Sequence, residues 1–137
     1  MIQRLGLILL CLLLAACATS DKGDRLKLDT VLFQYAGAIR YSEIASAYEF
    51  VHPKQRAEKP MSSLEWERYA QVQFTGYLVK IKEPGDVGEV RQLVEVRLIN
   101  RHTQAERVMQ VREVWKWDPE TKRWWLESGL PDISPGR

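Results

Sequence analysis

The residues whose types and spacing could do chemistry fall into three places. Cys17 directly follows Leu14-Ala15-Ala16, at the end of an apolar run that starts at Leu5, and Arg4 is the only charged side chain ahead of it. Glu113 falls on the same alternation as Met109, Val111, Trp115 and Trp117, which turns its carboxyl toward the apolar side of a strand. A carboxyl in an apolar cavity has a raised pKa and can donate or accept a proton. Trp115, Trp117, Trp124 and Trp125 flank a single turn, and because Trp124 and Trp125 are adjacent, at least one of the four must leave the main core face. The four have two readings. One is cross-strand packing, at about 0.2–1 kcal/mol per pair. The other is an exposed platform for a glycan strand or a protein partner, with Lys116, Lys122 and Arg123 beside it to meet an anionic surface.

Other chemistries find little support. His52 and His102 are the only histidines, and neither has metal-ligand spacing with Asp, Glu or a free Cys, so no metal is expected. No glycine-rich phosphate loop follows a strand and nothing marks a nucleophile elbow, so no cofactor is indicated either.

Residues 1–16 have the order of an export signal: a basic start, a run of Leu and Ile, then small residues. A membrane span needs about 20 apolar residues, and this run is shorter. Leu14-Ala15-Ala16-Cys17 resembles the lipobox of bacterial lipoproteins. The resemblance implies cleavage before Cys17, a diacylglycerol on its sulfur and an acylated new N-terminus. Two or three acyl chains hold a protein on a bilayer where one does so only marginally. Ala18, not Asp, follows the cysteine. By the same resemblance this implies the outer membrane, facing the periplasm.

With residues 1–16 removed from the 137, 121 remain, enough for one domain. Arg4 is the one charge lost, so 19 of the 20 basic and all 18 acidic side chains stay. That near balance argues against a nucleic-acid partner, which would call for a basic excess on one face. Cys11 leaves with the signal and Cys17 is alkylated, so the mature chain has no disulfide and relies on its core.

Residues 17–27 are small, polar and charged, and are expected to be a lipidated tether. Leu28, Val31, Leu32, Tyr35, Ala36 and Ile39 form one helical stripe. Ser42 is placed to cap a second helix from Glu43 to Val51, which His52-Pro53 ends. Residues 54–61 read as loop, and Ser62-Ser63-Leu64-Glu65 as the capping box of a helix reaching about Tyr69. Strands follow. Val72 to Ile81 has its apolar phase slipping near Gly76-Tyr77, as a bulge requires. Val90 to Leu98, Met109 to Trp117 and Trp124 to Ser128 come after it, separated by short turns. Residues 131–137 are expected to form an irregular tail. The fold class is α+β: N-terminal helices packed on a curved four-stranded antiparallel sheet, over residues 28–130.

Ala38 to Pro53, Ala-Ile-Arg-Tyr-Ser-Glu-Ile-Ala-Ser-Ala-Tyr-Glu-Phe-Val-His-Pro, resembles the first helix junction of the nuclear-transport-factor-2-like superfamily. Those domains are cones in which a curved sheet wraps helices around a cavity. The resemblance covers about residues 26–128. It departs in the short segment between the second and third helices, which implies a missing early hairpin and a more open cone. Isomerase-like members use a Tyr of the first helix, an acid after the second and a carboxyl on the sheet. The matching positions are Tyr35, His52 (where the acid would stand) and Glu113. Each also has a plain structural reading: a core aromatic, a helix-end residue and a cross-strand partner of an Arg.

The function expected from all of this is a non-enzymatic, lipid-anchored periplasmic protein. It would meet the membrane through Cys17, and a protein or cell-wall partner through the Trp hairpin. Two alternatives stand beside it: a ligand-binding or isomerase/cyclase-type cavity lined by Tyr35, Glu113 and the Trp residues, and a structural accessory subunit of an envelope complex.

Overall fold

The structure, a computed structural model, describes residues 24–135. Residues 1–16, read as an export signal, Cys17 and residues 18–23 of the expected tether lie outside them. By its contacts the chain divides between Leu32 and Phe33. In the first unit the described residues 24–32 are helical, with Leu28 buried and the Thr30 hydroxyl donating to the Leu26 carbonyl at 3.0 Å. Residues 24–27, read as tether, are thus already helix. Arg25, Leu26 and Lys27 all have high helix propensity, whatever their polarity.

In the second unit residues 33–40 are helical (α1) and bury Tyr35, Ala36, Ala38 and Ile39. The helix stops in a Schellman motif: Glu43 N–H donates to the Ala38 carbonyl at 2.8 Å and Ser42 N–H to that of Ile39 at 2.9 Å. Ser42 holds the left-handed position of that motif, φ 58°, where glycine is usual. Its hydroxyl accepts from Phe74 N–H at 3.0 Å. Ser42 therefore closes α1 and ties it to a strand, and does not cap the next helix. That helix, α2, spans Ile44–Tyr48 with Glu43 at its N-cap and no side-chain cap.

The expected loop after His52 is helical at its start. Pro53–Glu58 forms α3, with Pro at the first position and the His52 side chain accepting from Lys54 N–H at 3.2 Å. His52-Pro53 ends one segment and begins another, because a helix tolerates proline where its missing N–H would have no partner anyway. The capping box at Ser62 and Glu65 is formed and starts α4, Ser63–Ala70.

Four strands follow: β1 Val72–Pro84, β2 Glu89–Asn100, β3 Glu106–Asp118 and β4 Arg123–Leu126. They make one antiparallel sheet in the order β1-β2-β3-β4, with the helices packed against it, an α+β architecture. The register of β1 against β2 slips between Phe74 and Gly76, as the sequence phase required, and again between Val79 and Ile81. Phe74, Tyr77, Val94, Val96, Leu98, Trp115 and Leu126 form the buried sheet face with Tyr35, Ile39 and Phe50 of the helical layer. Val51 adds a parallel bridge to Leu126. The tail is irregular but not loose: Pro131 is fully buried and Ile133 nearly so.

Candidate functional site

The alternation of β3 places Glu113 inward, and the residue is only 1% exposed. The side chain opposite it on β2 is Gln92, on the same inward phase as Val94 and Val96. Gln92 Nε2 donates to Glu113 Oε2 at 3.2 Å, and Trp115 Nε1, two residues along β3, donates to the same oxygen at 3.2 Å. From β1, Tyr77 brings its hydroxyl to 2.9 Å from Oε1 and 2.8 Å from Oε2. The register slip before Gly76 is what turns Tyr77 inward opposite Val96. The helical layer closes the site. Tyr35 meets Phe50, Tyr77 and Trp115 edge to face at centroid distances of 5.7, 6.1 and 5.2 Å, a geometry aromatic quadrupoles favour.

Burial dominates the electrostatics. It raises the Glu113 pKa above its ordinary 4.5, although the donors Tyr77, Trp115 and Gln92 pull the other way. Tyr35 and Tyr77 are pushed well up, by burial first and then by the neighbouring Glu113 charge. The Tyr35 hydroxyl is buried and has no hydrogen-bond partner among the described residues. The structure thus brings Tyr35 and Glu113 together. His52 lies elsewhere: it caps α3 and sets its ring 5.8 Å from Trp125. No Arg faces Glu113 across the strands, contrary to the plain reading of that residue; Arg91 pairs with Glu89 instead, at 2.6 Å.

The tryptophans are largely covered. Trp115 is fully buried, Trp124 and Trp125 are each 6% exposed, and Trp117 is half-buried against Trp124 at 5.7 Å. Trp125, opposite Lys116, is the one on the other face. Arg123 covers its ring at 4.4 Å and its Nε1 donates to the Thr121 hydroxyl at 3.2 Å. Of the two readings of the hairpin the geometry follows cross-strand packing: the rings cover one another and their neighbours instead of facing outward.

Sequence reasoning missed Gln92 and Tyr77. The alternation of β2 was enough to place Gln92 beside Glu113, since it sits two residues before Val94 on the buried phase. Tyr77 lies just past the slip, where the phase alone points either way. Among the described residues no group of His, Cys, Asp and Glu could hold a metal ion, and no helix is long and apolar enough to cross a membrane. No protein family, curated protein or solved structure matches this chain.

Proposed function

We propose that the protein is a lipid-anchored binding protein of the bacterial envelope, acylated on Cys17 and working without catalysis. Its domain is read as an open cone of the nuclear-transport-factor-2-like type. The observation that carries the non-catalytic reading is the state of Glu113. The residue is sealed at 1% exposure, and its Tyr77, Gln92 and Trp115 donors all come from the chain itself. A general acid or base needs to reach a substrate proton within about 3 Å, and this carboxyl is closed off by the aromatic rings around it. The location rests on the order of residues 1–17 and on Ala18, which together favour the outer membrane facing the periplasm.

The test is mass spectrometry of the native protein with membrane fractionation and pull-down. The expected result is a chain that starts at Cys17, carries acyl groups and brings a partner with it, while the Cys17→Ala protein is not retained on membranes. An unacylated chain or a retained leader overturns the location. Recovery of no partner, together with a rise in Tm on adding a small apolar ligand, overturns the function.

One observation favours a second reading, a cavity for a small polar ligand. The Tyr35 hydroxyl is buried without a partner on the side of the core where Glu113 stands. A molecule that accepted from Tyr35 would satisfy an atom otherwise costly to bury, by about 1–3 kcal/mol. A ligand whose stabilising effect vanishes in Tyr35→Phe would favour this reading.

A further inference from the structure

Residues 127–135 follow β4 without forming a strand, yet they are seated. They run between α4 on one side and β3 on the other. What holds them is a set of side chains reading backbone carbonyls. The Tyr69 hydroxyl donates to the Pro131 carbonyl at 2.6 Å; Arg107 Nη2 donates to that of Ile133 at 2.6 Å and Nη1 to that of Ser134 at 3.4 Å. Arg68 Nη1 adds the Ser134 hydroxyl at 3.5 Å. Only two tail side chains here are deeply buried, Pro131 and Ile133, two residues apart, while Asp132 between them is exposed. This is how a groove binds an extended peptide: donors fix the main chain, and alternate side chains enter pockets.

The groove is not filled by the tail. Clefts of about 520 Å³ flank it on the α2–α4 side and again along β3, and a third of about 330 Å³ lies toward Asn100 and Pro135. Gly129, at φ +76°, makes the turn that leads the chain into the groove, a left-handed backbone that favours glycine.

We propose that the groove between α4 and β3 is a recognition site for an extended peptide of a partner protein, with an aliphatic residue two positions from a proline, and that the chain's own residues 130–135 are its resident occupant. Proline suits such a site because its fixed φ lowers the entropy lost on docking. The site gives the binding function a surface and rests on that reading for the existence of a partner. Its test is independent of the lipid: an unacylated chain would leave the peptide result untouched, and a failed titration would leave the anchor untouched.

The probe is a fluorescent peptide of residues 129–137, titrated against the full chain carrying Ile133→Asp, which keeps the tail attached but disfavours its docking. The expected result is saturable binding, at least tenfold weaker when the peptide carries the same Ile→Asp change. Binding should also be at least tenfold weaker to the unmodified chain, whose own tail competes at a high effective concentration. A cooperatively melting variant that shows no saturable binding overturns the proposal. Should Ile133→Asp not melt cooperatively, tail release is read in the full chain with Ile133→Cys. Alkylation of the introduced thiol, followed by mass spectrometry of the tail fragment, should run at least tenfold faster than global unfolding. Alkylation no faster than global unfolding makes the tail an inseparable part of the core and overturns the proposal.

Discussion

The Tyr77 hydroxyl lies within hydrogen-bond distance of both carboxylate oxygens of Glu113, 2.9 Å from one and 2.8 Å from the other. A phenol has one hydrogen to give, so it is shared between the two oxygens, or Glu113 carries a proton and returns a hydrogen bond. Burial, which raises the Glu113 pKa, favours the second arrangement.

That arrangement sets a pH dependence. The folded chain binds the Glu113 proton more tightly than the unfolded chain, whose carboxyl titrates near 4.5. The resulting stability is complete below 4.5 and is lost as pH rises through the higher folded value. The half-buried Asp118, held low by Thr121 and Glu120, works in the opposite direction as pH falls. The comparison is therefore the Tm of the unmodified chain minus that of Glu113→Gln. This difference should fall on raising the pH above 4.5 and then level off. Two Tm profiles that run parallel would show that Glu113 does not titrate differently on folding.

Tyr35→Phe deletes a buried hydroxyl that has no partner among the described residues and keeps the ring that meets Phe50, Tyr77 and Trp115. Removing such a group should raise stability by about 1 kcal/mol, measured by denaturant titration. A loss of that size would mean that the hydroxyl is satisfied in solution, by water or by a ligand.

Trp115 and Trp117 share a strand and a face but not an environment. Trp115 is fully buried, touches Tyr35 and Phe50, and donates to Glu113, so Trp115→Ala should cost about 3–5 kcal/mol. Trp117 is half-buried in a cross-strand pair with Trp124, so Trp117→Ala should cost nearer 1 kcal/mol. Equal losses in urea melts would contradict the assignment of the core to the Trp115 end.

At Ser42 two effects oppose each other. Glycine would relieve the left-handed backbone, worth about 1 kcal/mol. It would also strip the buried Phe74 N–H of its acceptor, at about 1–3 kcal/mol. The second effect is the larger, so Ser42→Gly should destabilise by about 1 kcal/mol in the same melts, and Ser42→Ala, which loses the acceptor without relieving the backbone, should destabilise more.

Much of this architecture could be read from residue order, because strands carry their own period. Val94, Val96 and Leu98 mark the inner face of β2, and Met109 to Trp117 that of β3, and this alternation alone places Glu113 inward. The capping box at Ser62 was equally local. What was hidden depended on partners far along the chain. Ser42 takes its role from Phe74, 32 residues away, and not from its neighbours. Residue order left both readings of the Trp hairpin open because exposure depends on what covers a ring: His52 and Arg123 for Trp125, Tyr35 and Phe50 for Trp115. The tail looked idle because no periodicity announces three carbonyls held by Tyr69 and Arg107.

The four strands stand side by side in the order in which they occur along the chain, so each needs only its immediate predecessor as a template. Contacts of such short sequence separation form quickly. A polypeptide threaded head first through a narrow channel can close this sheet one hairpin at a time, with no segment waiting long for a distant mate. Leu126 is the exception: its backbone reaches back to Phe50, Val51 and His52, and this clasp joins early and late segments only when almost the whole chain has emerged.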